Sequence, residues 1–259
     1  IPTSTTCGPQ AHGFAFTSRG GSVGCDGAQV AAGVLPVGGV LDTGGHRAAL
    51  AIADIGSAEL GSNTRVRLDR TSAARHELFL ERGHMHAFVS APPRMFAVAT
   101  PSAQVVDLGC EYKLDVDERG AGAIEVLTGL VELELGGGRA VVVPAGARAR
   151  LLPGRRASLP LVTGASGAIV AAVRAYEANS PDAIPRVLAA ATRSDAITLV
   201  NLARLAPSTE QRPILERLQE VFPAPQETTV EEALADRELF EMWFDEIVLV
   251  HVMAAAQQP

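Results

Sequence analysis

From residue 96 onward, apolar and polar positions alternate in short runs, and Gly, Pro or Asp cut the runs at regular intervals. Phe96–Thr100, Ala103–Leu108, Glu111–Val116, Ala123–Leu127, Val131–Leu135, Arg139–Val143 and Ala147–Leu152 each carry the period of two of a half-buried strand. Turn formers separate them: Thr100-Pro101, Glu118-Arg119-Gly120, Gly136-Gly137-Gly138 and Pro144-Ala145-Gly146. The same pattern begins earlier, at Val34–Val40, Ala48–Ala53, Ala58–Leu60, Thr64–Leu68, Glu77–Leu80 and His84–Val89. Roughly a dozen short strands at similar spacing predict a twisted β-sandwich or a short β-solenoid.

The period changes near Pro160. Apolar residues then recur at helical spacing over Ala165–Ala178, Asp182–Thr192, Asp195–Ala206, Ser208–Phe222, Thr229–Ala235 and Asp236–Ala256. Thr209 is the expected cap of the fourth segment, and Thr229 with Glu232 has the spacing of a capping box in the fifth. The fold class is therefore mainly β with an α-helical C-terminal region, an α+β arrangement with the two kinds segregated. The first 32 residues are rich in Gly, Ser and Thr, with one short strand at His12–Phe16. They are expected to form an extended arm over 1–32, followed by an all-β domain over 33–160 and a helical domain over 161–259.

Composition and charge narrow the function. The chain of 259 residues is 47% hydrophobic, enough to bury a substantial core. Its net charge of -7 argues against nucleic acid as a partner. The charge is uneven. Residues 1–160 hold 15 acidic and 15 basic side chains, whereas residues 161–259 hold 14 acidic and 7 basic, so the helical part carries the whole excess. No run approaches the about 18 apolar residues needed to span a membrane. The start at Ile1 without Met is expected to follow removal of an upstream segment, either a signal peptide or a membrane anchor.

There are three cysteines. Cys7 and Cys25 lie in the Gly-rich leader and form a candidate disulfide in an oxidising compartment. Cys110 sits in the β region as a buried apolar thiol, with a bridge to one leader cysteine as the alternative.

Four pieces of the β region together resemble the FecR domain: Thr100-Pro101-Ser102-Ala103, Asp107-Leu108-Gly109-Cys110-Glu111-Tyr112, Val126-Leu127-Thr128-Gly129-Leu130-Val131-Glu132 and Val143-Pro144-Ala145-Gly146. The resemblance is tightest over 96–157, and Val34–Leu80 resembles the strands that lead into that domain. It implies a FecR-like twisted β-sandwich or short β-solenoid followed by a small helical array. It also implies a non-enzymatic module in the periplasm, attached to the inner membrane by a segment upstream of Ile1. Such a module acts through protein–protein contacts in transmembrane signalling, in the manner of an anti-sigma factor. A scaffold role as accessory subunit of a larger membrane or extracellular complex is the alternative, and a metal- or glycan-binding module using His84 and His86 is the third.

No catalytic residue and no cofactor site is assigned. There is no G-x-S-x-G elbow and no Walker-type loop, and Gly136–Gly138 is a hairpin turn with no helix after it. Asp107 and Glu111 flank Gly109-Cys110 without a positioned His or Ser. His84 and His86 are the candidate metal ligands, since residues two apart on a strand point the same way, but no fixed third ligand accompanies them. Asp115, Asp117 and Glu118 read as an acidic hairpin tip. Phe240, Trp243 and Phe244 form an aromatic stripe on an acidic helix and are the candidate partner surface, against packing of that helix on its own domain.

Overall fold

The computed structural model describes Cys7 and residues 12–154 and 156–257. Alternating side chains place two sheets face to face. The first contains β1 (Gly13–Arg19), β4 (Ala32–Pro36), β6 (Arg47–Ile52), β7 (Gly56–Leu60), the second half of β9 (His76–Val89), β12 (Glu111–Val116), β13 (Gly122–Thr128) and β16 (Ala147–Leu152), with the short β17 (Arg156–Ala157) and β18 (Leu161–Val162) along the edge of β16. Its strand order is β4-β1-β6-β7-β9-β12-β13-β16, antiparallel throughout.

The second sheet contains β2 (Val23–Cys25), β3 (Ala28–Val30), β5 (Val40–Asp42), β8 (Arg65–Thr71), the first half of β9, β10 (Phe96–Ala99), β11 (Gln104–Asp107), β14 (Leu130–Gly136) and β15 (Arg139–Pro144). Its order is β3-β2-β5-β8-β9-β10-β11-β14-β15, and only the β9–β10 pair is parallel. The chain passes back and forth between the sheets and advances along both, a sandwich wound in the manner of a short solenoid. One core fills the space between them, built on residues such as Phe14, Leu50, Leu68, Leu80, Phe96, Tyr112 and Val141.

The strands expected at Glu77–Leu80 and His84–Val89 are one continuous strand. Gly83 bends it, with φ of +106°. A Cβ there would lie 2.4 Å from Thr64 Cα, so only glycine fits. The core-facing set changes parity across the bend: Leu78 and Leu80 point inward before it, and Met85, Ala87 and Val89 after it. That inversion lets one strand serve two facing sheets. Two buried threonines satisfy the backbone at the crossing. Thr64 Oγ1 accepts from the His84 N–H at 3.0 Å, and Thr43 Oγ1 accepts from the Thr64 N–H at 2.9 Å.

The expected arm over 1–32 is corrected where it is described; residues 1–6 and 8–11 lie outside the described residues. β1, β2 and β3 pair within the two sheets, and Phe14, Phe16, Val23 and Cys25 are core residues. Glycine turns between very short strands hide the period of two in composition. Cys7 and Cys25 are disulfide-bonded, with Cα atoms 6.1 Å apart. Closing a loop of this length contributes about 3 kcal/mol by restricting the unfolded chain.

The helical unit comprises α1 (Gly167–Glu177), α2 (Ala183–Ala190), α3 (Ala196–Leu205), α4 (Ser208–Val221), α5 (Val230–Ala235) and α6 (Arg237–Ala255). Ser166 caps α1, Asp236 caps α6, and Thr229 with Glu232 forms the capping box of α5. The cap expected from Thr209 is absent, because α4 starts at Ser208 behind Pro207, and no side chain caps it. α3 is apolar on almost every side and is buried from Ala196 to Ala203, as befits the central helix of an array.

Asn201 on α3 ties this unit to the β half. Its Oδ1 accepts from the Val142 N–H at 2.9 Å, and its Nδ2 donates to the Val142 carbonyl at 3.1 Å and to the Ile197 carbonyl at 2.9 Å. Val142 lies on β15, the last strand of its sheet, so the carboxamide takes the place another strand would occupy on an open edge. The Val142 side chain meanwhile joins the helical core.

Asn201→Ala orphans two buried backbone groups and is expected to cost about 2–3 kcal/mol. Asn201→Leu, which restores volume without the hydrogen bonds, is expected to cost at least as much. Urea midpoints check this, and full rescue by leucine would assign the effect to packing alone.

Candidate functional site

The outer face of the first sheet gathers the histidines singled out by the sequence. β9 and β12 are paired so that His84 stands opposite Asp115, and His86 opposite Lys113. His84 Nδ1 engages the Asp115 carboxylate, and His86 Nε2 lies 2.8 Å from Glu111 Oε1. The two rings share a face, yet each is engaged by a different carboxylate. Beside them Phe88 is 54% exposed, next in register to Ser57 on β7 and Glu111 on β12. His76, near these in sequence, is elsewhere: it is buried in the second sheet, 2.8 Å from Thr71 Oγ1 and against the Phe14 ring. Burial holds its pKa below the usual histidine value. Among the described residues the grouping of three ligand atoms close enough to share an ion is Cys7, Cys25 and Asp26, and its two sulfurs are bonded to each other.

The outer face of the second sheet is a lattice of opposite charges. Asp42 accepts from Arg65 at 3.2 Å and from Arg82 at 3.1 Å, and Arg94 pairs with Glu132 and Glu134. Burial opposes ionisation of Asp42, but the Gly44 N–H and the two arginines together hold its carboxyl below the usual range.

Asp107, Cys110 and Tyr112, the centre of the FecR-like motif, are sealed in the core. The Asp107 carboxylate accepts from the Gly109 N–H at 2.7 Å and from the Cys110 thiol at 2.7 Å, closing a side-chain turn between β11 and β12. Gly109 has φ of +91°, and a Cβ on Gly129 would lie 2.1 Å from the Gly109 carbonyl oxygen. The motif glycines are thus demanded by a close backbone crossing. Burial raises the Asp107 pKa, and burial followed by the Asp107 charge pushes the Cys110 thiol far up. A thiol so held is a poor nucleophile. The Tyr112 hydroxyl, buried without a hydrogen-bond partner, is also raised, chiefly by burial.

The aromatic stripe of α6 is not a surface. Trp243 and Phe244 are buried in the helical core, and Phe240 is half-buried against it. The Trp243 indole N–H donates to the Phe222 carbonyl at 3.1 Å, and the Arg204 guanidinium sits 4.7 Å from the Phe244 ring centre. This face of α6 packs on α3 and α5 and against β13 and β15. Beside it a cleft of about 480 Å³ runs between β15 and the helices, with Arg139, Arg204 and Arg237 around its rim. The opposite face of α6, which sequence reasoning passed over, is the exposed one, with Met242, Leu249, Val250 and Met253 outward.

Residues 39–132 match the family described as FecR protein, so this stretch of the chain is a FecR domain. It runs from the turn before β5 into β14, through the whole of β9, and leaves β15, β16 and the helical unit outside. No curated protein matches the chain. Two crystal structures of a candidate anti-sigma factor from Parabacteroides distasonis are similar to it. One has 19% identity and a TM-score of 0.41, covering 51% of this chain and 63% of its own. The other has 17% identity and a TM-score of 0.39, covering 56% of this chain and 71% of its own. The chain thus spans less than two thirds of the length of the first.

Two outcomes follow from the buried turn. Cys110 is expected to resist iodoacetamide in the native protein and to be labelled fully in denaturant; rapid native labelling would show an open turn. A carboxyl with a raised folded pKa binds its proton more tightly folded than unfolded. Its favourable contribution is present below the usual carboxylate value of about 3.9 and is lost as pH rises through the folded value. The stability of the native protein minus that of Asp107→Asn is therefore expected to fall as pH rises from about 4. Denaturant midpoints measured against pH check this, and a difference that stays flat or grows would contradict it.

Proposed function

We propose that this chain is a non-catalytic, extracytoplasmic module that works through protein contacts in FecR-type transmembrane signalling, on the path that regulates a sigma factor. The FecR match over 39–132 carries the reading. Two features support it. The acid and thiol of the motif are buried in a turn, where they hold backbone in place and meet no solvent-borne substrate. The Cys7–Cys25 disulfide suits an oxidising compartment outside the cytoplasm. Among the described residues no helix is long and apolar enough to cross a membrane. Attachment to the inner membrane through a segment before Ile1 belongs to the same proposal, as does the division into an all-β domain and a helical domain with its boundary near residue 160.

Gentle affinity isolation from native membranes, with mass spectrometry of the co-purifying proteins, tests the proposal. A sigma factor or an outer-membrane receptor, present in fixed ratio and lost on deletion of 39–132, is the expected result. Stoichiometric subunits of one large assembly, with no regulatory protein among them, would make the chain a scaffold subunit and overturn the signalling reading.

A further inference from the structure

Among the described residues six large apolar side chains are exposed, and four of them, Met242, Leu249, Val250 and Met253, lie on α6. At 100° per residue, Met242, Leu249 and Met253 fall within an arc of about 40°. The buried Trp243, Phe244, Ile247 and Val248 occupy the other side. The helix is therefore apolar on two faces, and only one of them has a partner within this chain. The exposed stripe runs along about three turns, roughly 16 Å.

The surroundings of the stripe carry charge of one sign. Glu238, Asp245 and Glu246 flank or interrupt it, and none of the three makes an ion pair among the described residues. Glu241, which faces away toward α3, is already engaged by Arg204 at 3.5 Å and Arg237 at 3.6 Å. The free acids cluster in the first half of α6, and Leu249, Val250 and Met253 follow in the second half.

We infer that the outer face of α6 is a docking ridge for a basic amphipathic helix of a partner protein. That helix would set an apolar stripe against Met242, Leu249 and Met253 and place Arg or Lys opposite Asp245 and Glu246. A straight helical ridge is matched by the groove of another helix. The two methionines adapt their shape to such a partner, as in other helix-recognising surfaces. The charge selects against the other occupants. An anionic lipid surface would meet acids of its own sign. In a two-fold antiparallel pairing of two copies, the two Glu246 side chains would fall within a turn of each other at the centre of the contact.

This inference deepens the contact-based reading above and is tested on the purified full chain, so its failure leaves the membrane isolation experiment to stand or fall separately. The probes are two synthetic helices with the same leucine face, one flanked by arginine and one by glutamate, titrated by fluorescence anisotropy. The arginine helix is expected to bind more tightly, with affinity falling as salt rises. Leu249→Asp, an exposed position, is expected to weaken binding at least tenfold with an unchanged circular dichroism melt. Reversing the charge with Asp245→Lys and Glu246→Lys together is expected to transfer the preference to the glutamate helix. Equal affinity for both helices, binding that survives Leu249→Asp, or a concentration-dependent dimer in sedimentation that Leu249→Asp abolishes would each overturn the inference.

Discussion

One strand belongs to both sheets, and the rest of the molecule is arranged around that fact. β9 pairs with β8 and β10 over its first half and with β7 and β12 over its second. A facing pair of sheets requires inward side chains on opposite sides of the backbone, so a strand that serves both must invert its parity. Gly83 performs the inversion, and Thr64 can approach it only because there is no Cβ. The FecR match spans this crossing. The family-like motif, built on Asp107, Gly109 and Gly129, solves a related problem at the β11–β12 turn, where backbone crosses backbone too closely for side chains. Both are packing devices, and the second leaves Asp107 and Cys110 without access to solvent.

The helical unit completes the structure at its most vulnerable place. An open last strand presents backbone donors and acceptors to any other chain. Here the Asn201 carboxamide meets both polar groups of Val142, while Thr198 Oγ1 donates to the Pro160 carbonyl at 2.6 Å beside it. The β half is electrically neutral and the helical half carries the acidic excess, so the two halves present different surfaces. The two halves thus combine sealed cores with distinct outer faces.

Much of this was legible in the sequence. The period of two located the strands from β6 to β16 to within a few residues, with β4 and the start of β5 read as one run, and apolar residues at helical spacing located the six α-helices. Four features were not legible. Gly83 read as a break between two strands, since a glycine that ends a strand and one that inverts it look the same in one dimension. Of the strands in the expected arm only β1 was foreseen, at His12–Phe16; β2 and β3 were hidden among glycines, because strands of three residues are too short to show a period. On α6 both faces are apolar, and the aromatic face drew attention although large aromatic side chains are the ones a helix most strongly buries. The His84–Asp115 and His86–Glu111 pairings were invisible for another reason: they depend on the register between β9 and β12, which residues far apart in the chain set together.

As the strand shared by both sheets, β9 is expected to make them one cooperative body. Native-state hydrogen exchange of its amides tests this most directly. The hydrogen-bonded amides of 76–82 and of 84–89 are expected to open with the same free energy, equal to that of global unfolding. If one half exchanges through a much easier opening while the other stays protected, the two sheets are separate units and β9 does not hold them together.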